Sequence, residues 1–339
     1  MDGLELPTLS PDARFVPAGT VADEPHIVID GPRLPGTLLA LSHWPEAGTP
    51  PGLAADTSAG IVTRYLDAEP SGPPVSAITN NHFDEDGLFG AWLALEQPPP
   101  GADERALAIA AATAGDFGVW SDPWAARIAL AAMAMAEPAT TPFPAVHRAL
   151  RRGSTDDPAA ATYNAALPHT GRLLRDPARF ERLWLPGWEP VERDAALIEA
   201  GAADITEIAE LDLAVVRSPR RLRPMAVHPR TTCSRMLQAD RDGVMVLTYR
   251  YETWVTYPSR DLPERVDLSA TAERLQKIET NAGTWRFEGV EAPTPRLFLA
   301  ADRGRPGPSS IEVEQVVELL VDALRTGDAH PAATEPRKR

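Results

Sequence analysis

The sequence predicts an α/β protein: a mainly parallel sheet flanked by helices, with a helical middle region and a smaller α+β domain towards the C-terminus. Short apolar runs alternate with segments of helical period over the first hundred residues, the pattern of a parallel sheet with helices on its faces. Alanine-rich segments broken by proline fill the middle of the chain. The last third changes to alternating apolar and polar residues with β-branched and aromatic types, the pattern of half-buried strands.

Taken in order, residues 1–25 are rich in Pro, Asp and Gly and read as a loosely attached arm. His26-Ile27-Val28-Ile29-Asp30 reads as a buried strand stopped by Gly31-Pro32. Thr37 to Trp44 reads as a second strand ended by Pro45. Thr57 to Leu66 has helical spacing, with Asp56 or Thr57 as N-cap. The run Val75-Ser76-Ala77-Ile78 is a third strand, and Leu88 to Leu95 starts a further helix. After the break Gln97-Pro98-Pro99-Pro100-Gly101, helices are expected over Glu104–Ala114 and Pro123–Ala136, and 145–209 reads as largely helical. Leu211 to Val216 returns to strand character, and Gly243 to Thr256 reads as one or two strands. Arg265 to Leu268 is short and extended, and Ser269 caps a helix through Ile278. Ile311 to Arg325 carries an apolar stripe through Val313, Val316, Val317, Leu320 and Leu324. The expected division is an arm at 1–25, an α/β domain at 26–220 with a helical insertion, a smaller α+β substrate-binding domain at 221–328, and a disordered tail at 329–339.

Composition narrows the function classes. The 339 residues are 43% hydrophobic, as in a globular protein, and length alone suggests about two domains. A net charge of −15 argues against long nucleic acid or a membrane surface as partner, because both favour a basic face. Lysine occurs only at Lys277 and Lys338, an arginine bias that fits a high-GC bacterial genome better than arginine-specific chemistry. Cys233 is the only cysteine, which excludes an intrachain disulfide and a thiolate zinc site. No basic-plus-apolar leader opens the chain and no apolar run reaches the ~20 residues of a membrane span, so a cytoplasmic protein is expected, with a homodimer as one assembly it allows.

The chemistry gathers around Asn80 to Leu88. His82, Asp84 and Asp86 stand at alternate positions after a strand, and alternate residues of an extended chain point the same way. Imidazole with carboxylates suits manganese, magnesium or zinc, and strand carboxyl ends are where α/β folds place their sites. Asp30 ends one neighbouring strand and His43 another. Asp116, in Gly115-Asp116-Phe117-Gly118, is flanked by glycines whose backbone freedom lets a side chain turn into a cleft. A metal pair needs a bridging carboxylate with His and Asp ligands on each side. His82, Asp84, Asp86, Asp116, His43 and Asp30 supply such a set, with His82, Asp84 and His43 also the candidate catalytic residues. Each has an ordinary reading too: a packed histidine beside Trp44, a turn residue before Gly-Pro, a helix cap near Asp122. An EF-hand fails because Leu93 stands where the bidentate glutamate belongs. His169 and His228 beside prolines, and the aromatic run Tyr249 to Trp254, read as structural. No P-loop, dinucleotide fingerprint or nucleophile elbow is present.

The segment Asn81-His82-Phe83-Asp84-Glu85-Asp86-Gly87-Leu88 resembles the first motif of the DHH phosphoesterase superfamily, His-x-x-Asp-x-Asp-Gly/Ala, with one residue fewer after the histidine. In that superfamily these residues bind a manganese pair. Leu41-Ser42-His43-Trp44, followed by the helix from Asp56 to Leu66, is similar to the Asp-His-His motif and its Ser/Thr-rich helix. It keeps one histidine and precedes the first motif, so the resemblance implies either a circularly permuted relative or a coincidence. Asp116 matches the aspartate of the second motif. Thr253 to Arg260, then Val266-Asp267-Leu268-Ser269, resembles the domain that often follows, in which an arginine at the position of Arg260 binds substrate phosphate; Asn281 to Trp285 stands where that domain has a Gly-Gly-Gly-His loop. The chain also resembles an actinobacterial protein family with the Leu-Ser-His-Trp-Pro and Asn-His-Phe-Asp-Glu-Asp-Gly motifs. The resemblance implies a Mn2+- or Mg2+-dependent phosphoesterase acting on a small nucleotide-like or otherwise phosphorylated molecule, with Arg260 and Arg250 orienting the phosphate. The alternative is a non-catalytic metal- or ligand-binding protein with a decayed site.

Overall fold

The computed structural model describes residues 5–327 and 329–330. The chain divides into two compact units, Met1–Glu189 with Thr256–Ser259, and Pro190–Val255 with Arg260–Arg339. The expected boundary near 220 therefore moves to 190, because strands between those positions pair into the second unit's sheet.

The expected arm at 1–25 is a strand and a helical turn over its described part. β1 (Thr8–Phe15) takes the edge of a four-stranded parallel sheet, and α1 (Ala18–Val21) follows it. An edge accepts Pro11 because the unpaired side of the strand needs no amide donor there, and the pairing with β4 is interrupted between Leu9 and Arg14. β2 (His26–Ile29) and β3 (Thr37–Leu41) follow, then α2 (Ser58–Asp67), β4 (Pro74–Thr79) and α3 (Glu85–Leu95). The strand order is β1-β4-β2-β3 with every neighbour parallel. β2 is buried at every residue, as expected of a strand covered on both faces. Thr57 caps α2 as expected, its side chain accepting from the Gly60 amide.

The helical middle holds α4 (Ala102–Phe117), α5 (Pro123–Ala136), α6 (Pro144–Ala149), α7 (Pro158–Arg175) and α8 (Glu181–Glu199). Asp122 caps α5 and Asp157 caps α7, each with proline at the next position, where a missing amide costs nothing. Pro168 inside α7 breaks nothing visible in its continuity.

The second unit is built on a six-stranded mixed sheet ordered β10-β11-β8-β7-β6-β5, from β5 (Asp204–Ile208), β6 (Leu213–Ser218), β7 (Arg235–Asp240), β8 (Met245–Tyr249), β10 (Thr284–Phe287) and β11 (Arg296–Ala300). Only β6 and β7 run parallel. The turn α9 (Pro224–Val227) lies between β6 and β7, and β9 (Arg265–Val266) precedes α10 (Ser269–Ile278). Leu213, Val215, Leu237, Leu247, Leu297 and Leu299 form one apolar face with Leu275 of α10 and with Val316 and Leu320 of α11 (Val313–Thr326), the stripe anticipated for that helix. Ser269 does not cap α10: the N-cap is Leu268, and the Ser269 amide donates to Asp267. β12 (Ala329–His330) pairs with β9, so the start of the expected tail is ordered; 331–339 lie outside the described residues. No helix among the described residues is long and apolar enough to cross a membrane.

One carboxylate staples two loops of this unit. Glu279 accepts from the hydroxyls of Ser309 and Ser310, from the amides of Thr280, Asn281 and Ser310, and from Trp285 Nε1. Burial works to raise its pKa, but these donors overcome it and hold the carboxyl down to about 2. Glu279→Ala is expected to destabilise the protein by about 2 kcal/mol, the scale of hydrogen bonds to a charged group, read by urea unfolding. A group with a depressed folded pKa stabilises above its unfolded value near 4.5, so the wild-type advantage should be full at pH 7 and shrink as pH falls towards 2.

Candidate metal centre

β2, β3 and β4 run parallel, so their carboxyl ends lie on one edge of the sheet, and each delivers a site residue there. Asp30 directly follows β2, His43 comes two residues after β3, and Asn80 directly follows β4. Asp30 carries a left-handed backbone (φ 54°), uncommon for a residue other than glycine and favoured by asparagine and aspartate among the rest. The turn directs its carboxylate into the fully buried space beyond the strand end.

The six expected ligands meet at one place. His43 Nε2 lies 3.5 Å from Asp30 Oδ1, 3.7 Å from Asp86 Oδ2 and 3.6 Å from Asp116 Oδ2. His82 Nε2 lies 3.3 Å from Asp30 Oδ2 and 2.9 Å from Asp84 Oδ2. Asp30 thus turns one oxygen to each histidine. The two halves differ in exposure: the His43 side chain is 1% exposed, those of His82 and Asp84 30% and 29%.

The way these groups converge differs from the extended-strand expectation. Asp84 is the N-cap of α3, accepting from the Gly87 amide, and Asp86 stands in the helix's first turn. Helical geometry sends them apart, so Asp84 faces His82 while Asp86 turns to α2. There both its oxygens accept backbone amides, from Ser58 (2.5 Å) and Ala59 (2.7 Å), the charge arrangement a helix N-terminus favours. Asp116 lies in the last turn of α4, not in a glycine-flanked bend. Gly115 serves by its small size: a Cβ there would come within 2.8 Å of Glu85 Cβ. Gly115→Ala should therefore cost about 1–3 kcal/mol by overpacking, measured by thermal unfolding, and an unchanged melting temperature would contradict it.

Residues not singled out in the sequence complete the shell. Ser58 Oγ donates to Asp30 Oδ1 (2.8 Å) and accepts from the His43 amide (3.3 Å). His43 Nδ1 is 2.6 Å from the Asp56 carbonyl oxygen, and His82 Nδ1 is 3.1 Å from Asn81 Oδ1. Asn80 accepts from the His82 amide and donates to the buried Tyr163 hydroxyl. The half-buried Trp44 ring packs on His82 with centroids 4.9 Å apart. Glu85 adds a fourth buried carboxyl beside those of Asp30, Asp86 and Asp116. The Ser/Thr run after Asp56 and the Asn80-Asn81 pair before His82 were the sequence signals for this shell. Thr256 to Ser259 close over the same region: the Thr256 amide donates to the His43 carbonyl (2.8 Å), the Ser259 amide to Asp56 Oδ1 (3.0 Å), and Tyr257 meets Phe117 edge-on.

Arg250 and Arg260 stand in the second unit. Arg250 is buried, ion-paired with Glu252 at 2.8 Å, and donates to the Thr231 carbonyl, which commits its guanidinium to the fold. Arg260 lies 3.6 Å from Glu252 and donates to the Thr232 carbonyl.

Electrostatics sets the terms of the centre. Burial, then the charge of Asp84, pushes Asp30 up to about 7. Burial, then Asp30, pushes Asp86 up to about 7, and burial, then Asp84, pushes Glu85 up to about 8. Asp116 is raised well above its ordinary value by burial and by Asp86. Asp84 runs the other way: burial works to raise its pKa, but the hydrogen bond and charge of His82 hold it down. His82 is pushed up to about 10, where burial opposes the change and the Asp30 and Asp84 carboxylates prevail. Carboxylates this close and this buried ionise together only with added positive charge. A divalent cation fits that demand. The donor set is hard oxygen plus imidazole, and Asp116 Oδ2 is buried with no hydrogen bond among the described residues.

Fold and cluster together define an α/β protein whose parallel sheet carries, at its carboxyl edge, aspartates and histidines that could hold a metal ion; Asp30, His43 and Asp86 form one such group and Asp30, His82 and Asp84 another. The chain belongs to the family of unknown function DUF6687, whose model matches residues 11–335. No curated protein and no solved structure matches it.

Proposed function

We propose that the first unit is a divalent-metal-dependent phosphoesterase, taking Mn2+ or Mg2+ and acting on a small nucleotide-like or otherwise phosphorylated molecule. The observation that carries this reading is the placement of Asp30, one oxygen towards His43 and Asp86 and the other towards His82 and Asp84. A carboxylate shared between two His/Asp sets is what a metal pair requires; the resemblance to the DHH superfamily implies metal binding by His82, Asp84, Asp86, His43 and Asp116, and Asp30 joins them through its place at the end of β2.

His43, Asp30, Asp86 and Asp116 would hold one ion; His82, Asp30 and Asp84 the other. Ions bound there make water a nucleophile at neutral pH and offset charge on phosphoryl oxygens. The chain's own part is positioning. Ser58 fixes one Asp30 oxygen, the α2 amides hold Asp86, and the partly exposed His82–Asp84 side is where a substrate phosphate can approach. With its guanidinium committed, Arg250 loses the phosphate role expected of it.

A metal-binding protein without turnover is the rival reading, favoured by Trp44 standing where the resemblance puts a second histidine. Metal analysis of protein purified without chelator, then a screen of nitrophenyl phosphates, dinucleotides and short oligonucleotides with Mn2+, separates the two. Hydrolysis lost in His82→Ala supports the enzyme. Bound metal without turnover supports the rival. Protein that holds no metal, with Mn2+ binding indifferent to His82→Ala, sinks both.

A further inference from the structure

A histidine that ligates through one ring nitrogen is aimed by what the other nitrogen donates to. His43 Nδ1 meets the Asp56 backbone carbonyl, which can only accept, so Nδ1 donates and Nε2 faces Asp30, Asp86 and Asp116. His82 is arranged alike but rests on a side chain, with Nδ1 3.1 Å from Asn81 Oδ1. We propose that Asn81 is a positioning residue that sets the tautomer and tilt of His82, so that cation binding at His82, Asp84 and Asp30 depends on it while binding at His43 does not. This rests on the metal reading above.

The packing of the loop supports the assignment. A Cβ built on Gly31 would come within 3.1 Å of Asn81 Oδ1 and 3.2 Å of Asn80 Oδ1, so the Asn80 and Asn81 side chains lie against the backbone beside Asp30 at a separation that glycine permits. Trp44 packs on the His82 ring tilted at 37°, and Asn81 meets the ring edge at Nδ1. The carboxamide is two-sided: its oxygen on Nδ1 makes Nε2 a lone-pair donor, whereas its NH2 on Nδ1 would place the proton on Nε2 and prevent ligation. A backbone carbonyl, as at His43, has no such alternative.

The test uses the full chain, stripped with chelator and titrated with Mn2+, free ion being read by electron paramagnetic resonance. Asn81 is exposed, so its variants should fold like the wild type. Asn81→Ala is expected to weaken one ion by about 10–100-fold, the usual effect of losing a histidine's outer partner, and to leave the other unchanged. Asn81→Asp keeps the acceptor and should restore binding. In a His82→Ala background Asn81→Ala should have no further effect, the non-additivity of residues acting through one another. Wild-type affinity in Asn81→Ala, or an equal loss with and without His82, overturns the proposal. A wild type that binds no Mn2+ overturns it together with the metal reading. Turnover is not read in this titration, so failure of the phosphoesterase reading alone shows only in the substrate screen.

Discussion

Saturating Mn2+ should raise the melting temperature of chelator-stripped protein by about 5–10 °C at pH 8 and by less than about 1 °C at pH 5. The carboxyls of Asp30 and Asp86 are pushed up to about 7 and that of Glu85 to about 8, against values near 4 in an unfolded chain. A raised folded pKa means that the folded state binds more protons across that interval. The stability these groups contribute is therefore complete below about pH 4 and lost as pH rises through 7 to 8. His82, pushed up to about 10, adds to the same trend above about pH 6.5. Cations need the ionised carboxylates, so their binding tightens where the stripped protein weakens. At about 100 times its dissociation constant an ion stabilises by about 2.7 kcal/mol, which at about 2–4 °C per kcal/mol gives the shift stated. Thermal scans with and without Mn2+ at both pH values check it. Equal shifts at pH 5 and pH 8 would contradict the linkage, and no shift at pH 8 would remove the metal centre.

Asp30→Asn should have opposite effects on stability and on metal. Asparagine tolerates the left-handed backbone at this position, so the change isolates the charge; alanine there would add about 1–2 kcal/mol of backbone strain. Losing the shared carboxylate should weaken Mn2+ binding at both positions by more than about 100-fold, beyond the range of outer-partner changes, and should abolish any phosphoesterase turnover. In stripped protein at pH 8 the same substitution removes one ionising group from a crowded buried cluster, so the variant should unfold at higher denaturant than the wild type. The pair of measurements is Mn2+ titration and guanidinium unfolding. A variant that binds Mn2+ normally would show that the two halves of the centre do not share Asp30.

Much of this was legible in the sequence. Runs such as Ile27–Ile29 within β2 announce a buried parallel strand because burial on both faces favours near-continuous apolar residues. The six candidate residues could be singled out because Asp30 and His43 follow predicted strands and His82, Asp84 and Asp86 alternate after a third, although each also had an ordinary reading as a turn, cap or packed residue. Other elements were hidden for physical reasons. β1 contains Pro11 and Asp12, tolerable only at an edge. β7 carries Arg235 and Gln238 in buried positions, satisfied by the Leu211 and Glu264 carbonyls and by the Leu222 backbone, partners that no local pattern reveals. The boundary at 190 was missed because the helical pattern runs unbroken along α8 while tertiary pairing divides it. Within the site, the direction of Asp86 depended on where the helix begins, which turns an apparent alternation into two separate attachments. Arg250 looked available because Glu252, two residues away, was not recognised as its partner.

The short segment Thr256–Ser259 makes the first unit discontinuous along the chain. No single cut in the gene can therefore release that unit whole. A fragment ending at Glu189 would keep all six proposed ligands yet leave the His43 carbonyl and the Asp56 carboxylate to solvent, just behind the ring that points at the acidic cluster. Dissection of this family by truncation would thus test a loosened centre, and a fragment that fails to bind metal would say nothing about the intact protein. Point substitutions in the full chain, or a fragment with 256–259 grafted back through a linker, are the experiments that the connectivity permits.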